Sequence, residues 1–451
     1  MKKVKQLEEI LPIYKIEQDC IISKQGDITL AYELTLPEAF TLCANDFEAM
    51  HHAWVKAIKS LPMHTIVHKQ DWYMESKYKA TFGEQEKTFL AHSSELYFNE
   101  RPYLEHKCYL FLTKKPAGRR TPSTLTSNLV KPTLVPPQAT DTKVMDVFFE
   151  KVGQFSSILQ SSGFMELRRM KNEELASAEN HRGLLEKYCY LLHDQEEPVI
   201  RDIQVDHELK IGDQYCQLFS LADVEDLPAL CGPRISYDKY STDRTRFSIG
   251  FATPLGQLLN CNHIYNQFII VDDAQETLKK LETKRLRLQS LSAYSRENAI
   301  SRDATNNFLN EAISKGRLPV KAHFNILAWT GNKQQAKEVK NKVSAALAQL
   351  DAKAKQETAC AAHLFWASMP GNAADLASSE LFDVFAEQAT CFFTTETSYK
   401  SSTSPFGIRL ADRVSGIPLH VDISDEPMNK GICTNRNKFI LGPSLCRAIL
   451  K

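Results

Sequence analysis

No stretch of the 451 residues approaches the roughly 18–20 consecutive apolar side chains that a membrane-spanning helix requires. The run Cys108-Tyr109-Leu110-Phe111-Leu112 is strand-sized, flanked by Lys107 and Thr113. Net charge is also lacking: 55 basic and 55 acidic residues cancel, so no whole-chain field draws the protein to nucleic acid or an anionic surface. Met1–Ile10 holds basic residues without the apolar segment of a signal peptide. Eleven cysteines are scattered with no C-x-x-C pair, as expected for thiols kept reduced in the cytoplasm. Absent too are G-x-S-x-G, H-E-x-x-H, a Rossmann fingerprint and any internal repeat, which removes the simplest hydrolase, zinc-protease and dinucleotide readings.

What remains is ordinary globular chemistry, 43% hydrophobic and 24% charged, at a length that predicts two or three domains. Tyr14–Ile22 reads as a strand, Lys24–Asp27 as a turn, and Leu30, Tyr32, Leu34 and Leu36 as one face of the return strand. A helix follows, N-capped by Asn45 or Asp46, with Phe47, Met50, Trp54, Ala57, Ile58 and Leu61 on one stripe and Pro62 closing it. Met63–Trp72 reads as a strand, Gly83–Tyr97 as a helix and His106–Thr113 as a strand. Residues 114–140, with Pro116, Gly118, Pro122, Pro132, Pro136 and Pro137, have the composition of an exposed loop. Asp141–His193 reads as helical, and Tyr215–Leu221 and Arg246–Asp272 as strand-like.

Asp273–Lys315 follows as a helical region facing a core through Leu278, Leu281, Leu288 and Leu291. Val320–Trp329 is expected as a strand, Lys333–Leu350 as an amphipathic helix and Ala361–Ser368 as a strand. Pro370–Asp375 is expected to turn into a helix ending near Thr390. Gly407–Arg413, Leu419–Ile423 and Lys438–Leu441 read as short strands. The class is α+β.

Few residue constellations suggest chemistry. His64 and His68 have ligand spacing only on a helix; on a strand they stand about 13 Å apart, too far for one ion. His51 and His52 diverge on a helix, and Cys261-Asn262-His263 lacks a second ligand pair. Lys279, Lys280, Lys284, Arg285 and Arg287 could touch DNA phosphates or acidic headgroups, but a solvated helix face is the simpler reading.

The most informative segment is Asn437-Lys438-Phe439-Ile440-Leu441-Gly442-Pro443-Ser444, a strand entering a glycine turn as a phosphate-binding loop does. Counted from Gly442, G-x-x-x-x-G-K-[ST] requires glycine, lysine and a hydroxyl residue where Arg447, Ala448 and Ile449 stand. The lysine for the phosphates and the hydroxyl for the metal ion are therefore missing. The sequence leads us to expect no ATP hydrolysis, with Gly442, Pro443 and Ser444 as a nucleotide-binding remnant and no metal site.

An ordered series of segments resembles the TraG-type conjugation ATPases of Bacteroidetes conjugative transposons, relatives of the type IV secretion ATPases of the TrbE/CagE kind. It comprises Phe98-Asn99-Glu100-Arg101-Pro102-Tyr103-Leu104, Asn262-His263-Ile264-Tyr265-Asn266-Gln267 and Pro370-Gly371-Asn372-Ala373-Ala374-Asp375. It continues through Ser404-Pro405-Phe406-Gly407-Ile408, Gly416–Asp422 and Asn435–Ser444, and Glu8-Glu9-Ile10-Leu11-Pro12 resembles the small domain that opens such proteins.

The resemblance implies a small N-terminal domain over residues 1–62, a partner-facing α+β body over 63–403, and the start of a RecA-like ATPase domain over 404–451. It implies a role in conjugative DNA transfer, with docking on inner-membrane and channel proteins of a type IV secretion system and homo-oligomerisation. ATP and magnesium are implied for the full-length family, and no cofactor is expected for this chain. Direct nucleic-acid binding is not expected. The likeness stops inside the motif, which leads us to expect a truncated ATPase from a shifted frame or interrupted gene. The alternative is a stand-alone module that regulates or competes with full-length motors. An enzyme of other chemistry lacks any supporting constellation.

Overall fold

The computed structural model describes residues 6–79, 89–116, 142–178, 181–193, 199–205, 208–353, 355–404 and 407–439. Its chain divides into unit 1, Met1–Ser76 with Leu104–Ser398, and unit 2, Lys77–Tyr103 with Tyr399–Lys451. The fold is α+β, as expected.

Unit 1 begins with a short helix α1 (Leu7–Ile10) and a hairpin, β1 (Ile13–Glu17) and β2 (Cys20–Ser23). The single strand expected over Tyr14–Ile22 is therefore two. Gln18 and Asp19 both adopt positive φ, +53° and +57°, the geometry of a two-residue hairpin turn. Gln-Asp is not the Asn-Gly type of pair that announces such a turn. Here a reciprocal pair of 2.8 Å bonds between the backbone N–H groups and side-chain oxygens of Asp19 and Asn172 holds it.

The return strand β3 (Ile28–Thr35) places Leu30, Tyr32 and Leu34 on one apolar face. Helix α2 (Ala44–Lys59) buries the predicted stripe, but its N-cap is Cys43. Asp46 instead occupies the first turn and accepts from the Cys43 N–H at 2.7 Å, closing the helix start from inside.

The main sheet is built on β4 (Thr65–Lys77), β5 (Pro102–Lys114) and β6 (Glu166–Arg169), joined by β7 (Ile203–Val205), β8 (Leu209–Ile211) and β9 (Gln214–Leu221). Strands β10 (Arg234–Ser236) and β11 (Ser248–Gly250) form a separate pair. Strands β12 (Asn262–Val271), β13 (Pro319–Thr330), β14 (Lys355–Glu357) and β15 (Phe382–Phe385) complete the sheet. Its order is β1-β2-β3-β5-β4-β12-β13-β9-β8-β7, with β6 beside β3, β15 beside β13 and β14 beside β9. Strand β12 lies at the centre, antiparallel to both β4 and β13.

Both faces of the sheet are covered. One core joins Phe47, Met50 and Trp54 of α2 to Phe148, Val152 and Phe155 of α4 (Thr142–Ser161). The other takes Leu175 of α5 (Asn172–Leu175) and Leu184, Tyr188 and Cys189 of α6 (Leu184–Tyr190). The expected helix over Asp141–His193 thus breaks after α4, where Gly163 at φ +77° leads the chain into β6.

Asp273–Lys315 is an antiparallel helical hairpin, α7 (Ala274–Leu291) and α8 (Arg296–Ser314), not one continuous helix. The expected core-facing role of α7 fails, because none of its residues is buried. Helix α9 (Ala336–Ala348) fills the amphipathic prediction. Ala361–Ser368 is a helix, α10 (Ala361–Ala367), where a strand was expected. Its buried Ala361, Leu364 and Phe365 fall at i, i+3 and i+4, a period the aromatic-rich composition obscured. The helix expected to end near Thr390 reduces to α11 (Ala386–Ala389), since β15 precedes it in the sheet.

In unit 2, α3 (Phe89–Phe98) accounts for the described part of the helix expected over Gly83–Tyr97. The short strands expected over Gly407–Arg413 and Leu419–Ile423 are β16 (Ile408–Ala411) and β17 (Pro418–Val421), which pair antiparallel and are followed by α12 (Asp425–Asn429). Of the expected loop over 114–140, residues 117–140 lie outside the described residues.

Candidate functional site

The approach to the sequence-predicted nucleotide loop is the β16–β17 hairpin. Asp412 accepts from the Ser415 N–H at 2.7 Å and from its hydroxyl, and Gly416 at φ +76° completes the turn. Gly407 is required by close approach: a Cβ there would stand 2.7 Å from the Val421 carbonyl oxygen and 2.8 Å from the His420 ring.

Asp422 then caps α12, accepting from the backbone N–H groups of Ser424, Asp425 and Glu426 at 2.7, 3.1 and 3.0 Å. These bonds, that from Ser424 foremost, hold its carboxyl well below the usual carboxylate range. Across the hairpin Arg409 pairs with Glu95 of α3 at 3.1 Å, and the Tyr78 hydroxyl donates to the same carboxylate. Lys438 and Phe439 are irregular rather than extended in a ladder, with Lys438 Nζ donating to Ser424 Oγ at 2.6 Å. Gly442, Pro443 and Ser444 lie outside the described residues.

A second constellation, not found from sequence, lies inside unit 1. Strand β4 is buried over ten consecutive residues, and its middle is His68-Lys69-Gln70-Asp71. Alternation sends Lys69 and Asp71 to one face of the sheet and His68 and Gln70 to the other. On the first face Asp71 accepts from Lys69 Nζ at 2.5 Å, Gln267 Nε2 at 2.7 Å and His106 Nε2 at 3.0 Å. Burial by itself would raise the Asp71 carboxyl, but the Lys69 ammonium and His106 outweigh it and hold it low. Burial lowers His106, whose Nε2 faces Asp71 and whose Nδ1 lies 2.7 Å from the Thr397 hydroxyl. The Tyr73 ring stacks between His106 and His263, at centroid distances of 4.2 and 4.6 Å.

On the opposite face Gln70 Nε2 donates to Asn266 Oδ1 at 2.6 Å, and Asn266 Nδ2 to Asn325 Oδ1 at 2.8 Å. Asn325 reaches Ser368 and His323, each about 3 Å away. Asn266 and Gln267, within a segment that carried the family resemblance, serve one network each because neighbours on a strand face opposite ways.

The first network ends in a strap, Thr394–Ser398. Lys69 Nζ holds Thr394 Oγ1 at 2.5 Å, and Glu396 accepts the Gly250 N–H at 2.6 Å. Thr397 holds His106 and exchanges backbone bonds with Pro37 and Ala39, and Ser398 meets Gln257. Glu396 is 1% exposed, and burial pushes its carboxyl up to about 7. The side chains of Lys69, Asp71 and His106 are buried, so they hold charge and position within the sheet. The signal for them was the polar run Lys69-Gln70-Asp71 inside a strand otherwise apolar enough to be central.

The remaining histidine and cysteine candidates do not converge. His64 precedes β4 and is exposed, 3.7 Å from Asp272, whereas His68 is buried and stacked on Phe268 at 4.0 Å. His51 Nε2 donates to the Glu387 carbonyl, and His263 Nδ1 to the Cys261 carbonyl. Among the described residues no group of three or more His, Cys, Asp or Glu could hold a metal ion. A groove of about 430 Å³ between β9 and α9 is lined by Tyr215, Gln217, Lys333, Lys337, Lys340 and Glu357, a mixed set in which Lys333 already pairs with Glu208.

Two segments match known families. Residues 407–447 match the TraG P-loop domain, from the glycine that opens β16 to the position where the loop's second glycine would stand. Residues 1–52 match a family described as "Domain of unknown function, B. Theta Gene description (DUF3875)". No curated protein matches the chain.

Proposed function

On the premise that the chain is a TraG-type conjugation protein, carried by its match over residues 407–447, we propose that it is the N-terminal part of a type IV secretion ATPase for conjugative DNA transfer. Residues 1–403 supply docking and oligomerisation surfaces, and residues from about 404 begin the RecA-like motor. Its partners are inner-membrane and channel proteins of the secretion system and further copies of itself, with no direct nucleic-acid contact. It works on the cytoplasmic side, at the inner membrane through those partners.

The chain does not hydrolyse ATP through this loop. Gly442, Pro443 and Ser444 begin the phosphate-loop sequence pattern, but Arg447, Ala448 and Ile449 stand where it requires glycine, lysine and a hydroxyl residue. An arginine at the second glycine puts a side chain where backbone must approach the phosphates. With neither the lysine nor the hydroxyl, charge on the β/γ-phosphates goes uncompensated and magnesium loses a ligand. ATP and magnesium thus belong to the full-length family, and this chain requires neither.

Two measurements test the proposal. The purified chain is expected to show no magnesium-dependent ATP turnover above a no-protein control; saturable turnover would overturn the non-hydrolysing reading. Co-expression with an intact conjugation system is expected to lower DNA transfer at least tenfold by occupying docking sites. Unchanged transfer with the chain present at the level of the intact motor would remove the docking role.

A further inference from the structure

The helical hairpin α7–α8 is exposed over most of its length. From Asp272 to Ala304 no residue is buried, and α8 reaches the core only through Thr305, Leu309 and Ala312. At about 1.5 Å per residue, the 18 residues of α7 extend roughly 27 Å. The two helices support each other: Asn298 Nδ2 donates to the Leu291 carbonyl and Arg302 Nη1 to Ser292 Oγ, both at 3.4 Å.

The connected end of this hairpin combines two features that are seldom placed together in water. Leu286, Leu291, Tyr294 and Ile300 are 54%, 38%, 87% and 61% exposed. Between Lys284 and Ile300 stand four cations, Lys284, Arg285, Arg287 and Arg296, against one anion, Glu297. Arg285 is held by Glu282 at 2.6 Å, whereas Lys284, Arg287 and Arg296 make no ion pair among the described residues. Lys280, Lys284, Arg287 and Leu291 recur at spacings of four, three and four, so they share one face of α7. Arg296 and Ile300 likewise share a face of α8.

We propose that the α7–α8 tip is a lipid-docking element that inserts Leu291, Tyr294 and neighbouring apolar side chains among anionic headgroups while Lys284, Arg287 and Arg296 meet the lipid phosphates. Exposed leucine, isoleucine and tyrosine flanked by unpaired cations match an interfacial membrane anchor, in which apolar groups enter the acyl boundary and tyrosine sits at headgroup level. A nucleic-acid surface would use the cations but leave the apolar groups in water. A second copy meeting tip to tip would bring like charges together. No described helix is long and apolar enough to cross a membrane, so contact here is peripheral. The inference does not depend on nucleotide chemistry at the C-terminal segment.

Cosedimentation of the full chain with vesicles tests it. Binding is expected to vesicles rich in phosphatidylglycerol, to weaken with added salt, and to be absent with pure phosphatidylcholine. Arg287→Glu with Arg296→Glu is expected to weaken binding more than tenfold, at about fivefold or more per cation. Leu291→Ser with Tyr294→Ser is expected to weaken the binding that survives at high salt. Both variants should keep the wild-type circular dichroism, since no altered side chain is buried. Equal vesicle binding by wild type and both variants would overturn the proposal. So would duplex DNA binding, or a concentration-dependent dimer, that needs these residues while anionic vesicles are not bound.

Discussion

Unit 1 encloses its polar groups between two apolar layers, whereas the described part of unit 2 is fastened mainly by polar contacts. In unit 1, Lys69, Asp71 and His106 lie in the middle of a sheet covered on both faces. In unit 2, the buried apolar residues among those described are Phe98, Pro418 and Leu419, and order comes from the Asp422 cap, the Asp412 turn and the Arg409–Glu95 pair. The same chemistry therefore has different consequences. A fully buried carboxylate without its partner incurs the full cost of desolvation, while the Glu95 carboxylate of the partly exposed Arg409 pair keeps a second donor, the Tyr78 hydroxyl.

The largest expected effect breaks that contrast at its centre. Asp71→Ala leaves the Lys69 ammonium uncompensated in the sheet and is expected to cost about 3–5 kcal/mol in urea unfolding. Replacing both, Lys69→Met with Asp71→Leu, is expected to recover much of that loss, which a double-mutant cycle measures. Additive losses would show that the two charges are not coupled.

The pH dependence of unit 1 sharpens the comparison next. Glu396 is held near 7 in the folded state against an ordinary 4.5, so the folded state binds more protons between those values. Its contribution is present below about 4.5 and is lost as pH rises through about 7, roughly 3 kcal/mol in all. Glu396→Gln keeps an acceptor for the Gly250 N–H, so the variant is expected to gain on wild type across that interval and level off above it. His68, His263 and His323 act with the opposite sign. Burial lowers them to about 3, 4 and 4, so they stay neutral in the fold and stability falls as pH drops below about 6.5. Unfolding midpoints measured from pH 4 to 8 on both proteins resolve the two limbs.

The smallest effect is expected in unit 2. Asp422→Ala removes the cap of α12 and is expected to cost about 1 kcal/mol locally. Arg409→Ala leaves the buried Glu95 carboxylate with the Tyr78 hydroxyl as donor and is expected to cost about 1–2 kcal/mol. Amide hydrogen exchange of β16, β17 and α12 reads both. A loss above about 3 kcal/mol from either change would erase the distinction between the units.

Much of the fold was legible wherever burial follows a simple period. The stripe of α2, the alternation of β3 and the long strand β13 all report one-sided or two-sided burial directly, whereas only the ten residues Asn262–Val271 of the strand-like region Arg246–Asp272 form β12. Ala361–Ala367 misled because a short, aromatic-rich apolar run fits strand and helix alike. The Gln18-Asp19 turn was hidden because its support comes from Asn172, more than 150 residues away. In the candidate site, the failure of the phosphate motif at Arg447, Ala448 and Ile449 is a property of sequence alone. The Lys69–Asp71–His106 network is not, since His106 lies on another strand and nothing local marks it as the partner of Asp71.

The segments that carried the family resemblance divide in the same way. Gly371 is needed because, at φ +87°, a Cβ would stand 2.5 Å from Ile21 Cγ2, a contact that only the assembled sheet creates. Asn266 and Gln267 are polar residues in a central strand, which the sequence shows, but the networks they complete on opposite faces depend on register with β4 and β13. Composition, periodicity and motif spacing thus determined the α+β class, the apolar stripes and the departure from the phosphate-loop pattern, because each depends on residues close in sequence. Tertiary structure decided which charges are buried together and which helices stand exposed, because desolvation is set by neighbours that only the folded chain brings together.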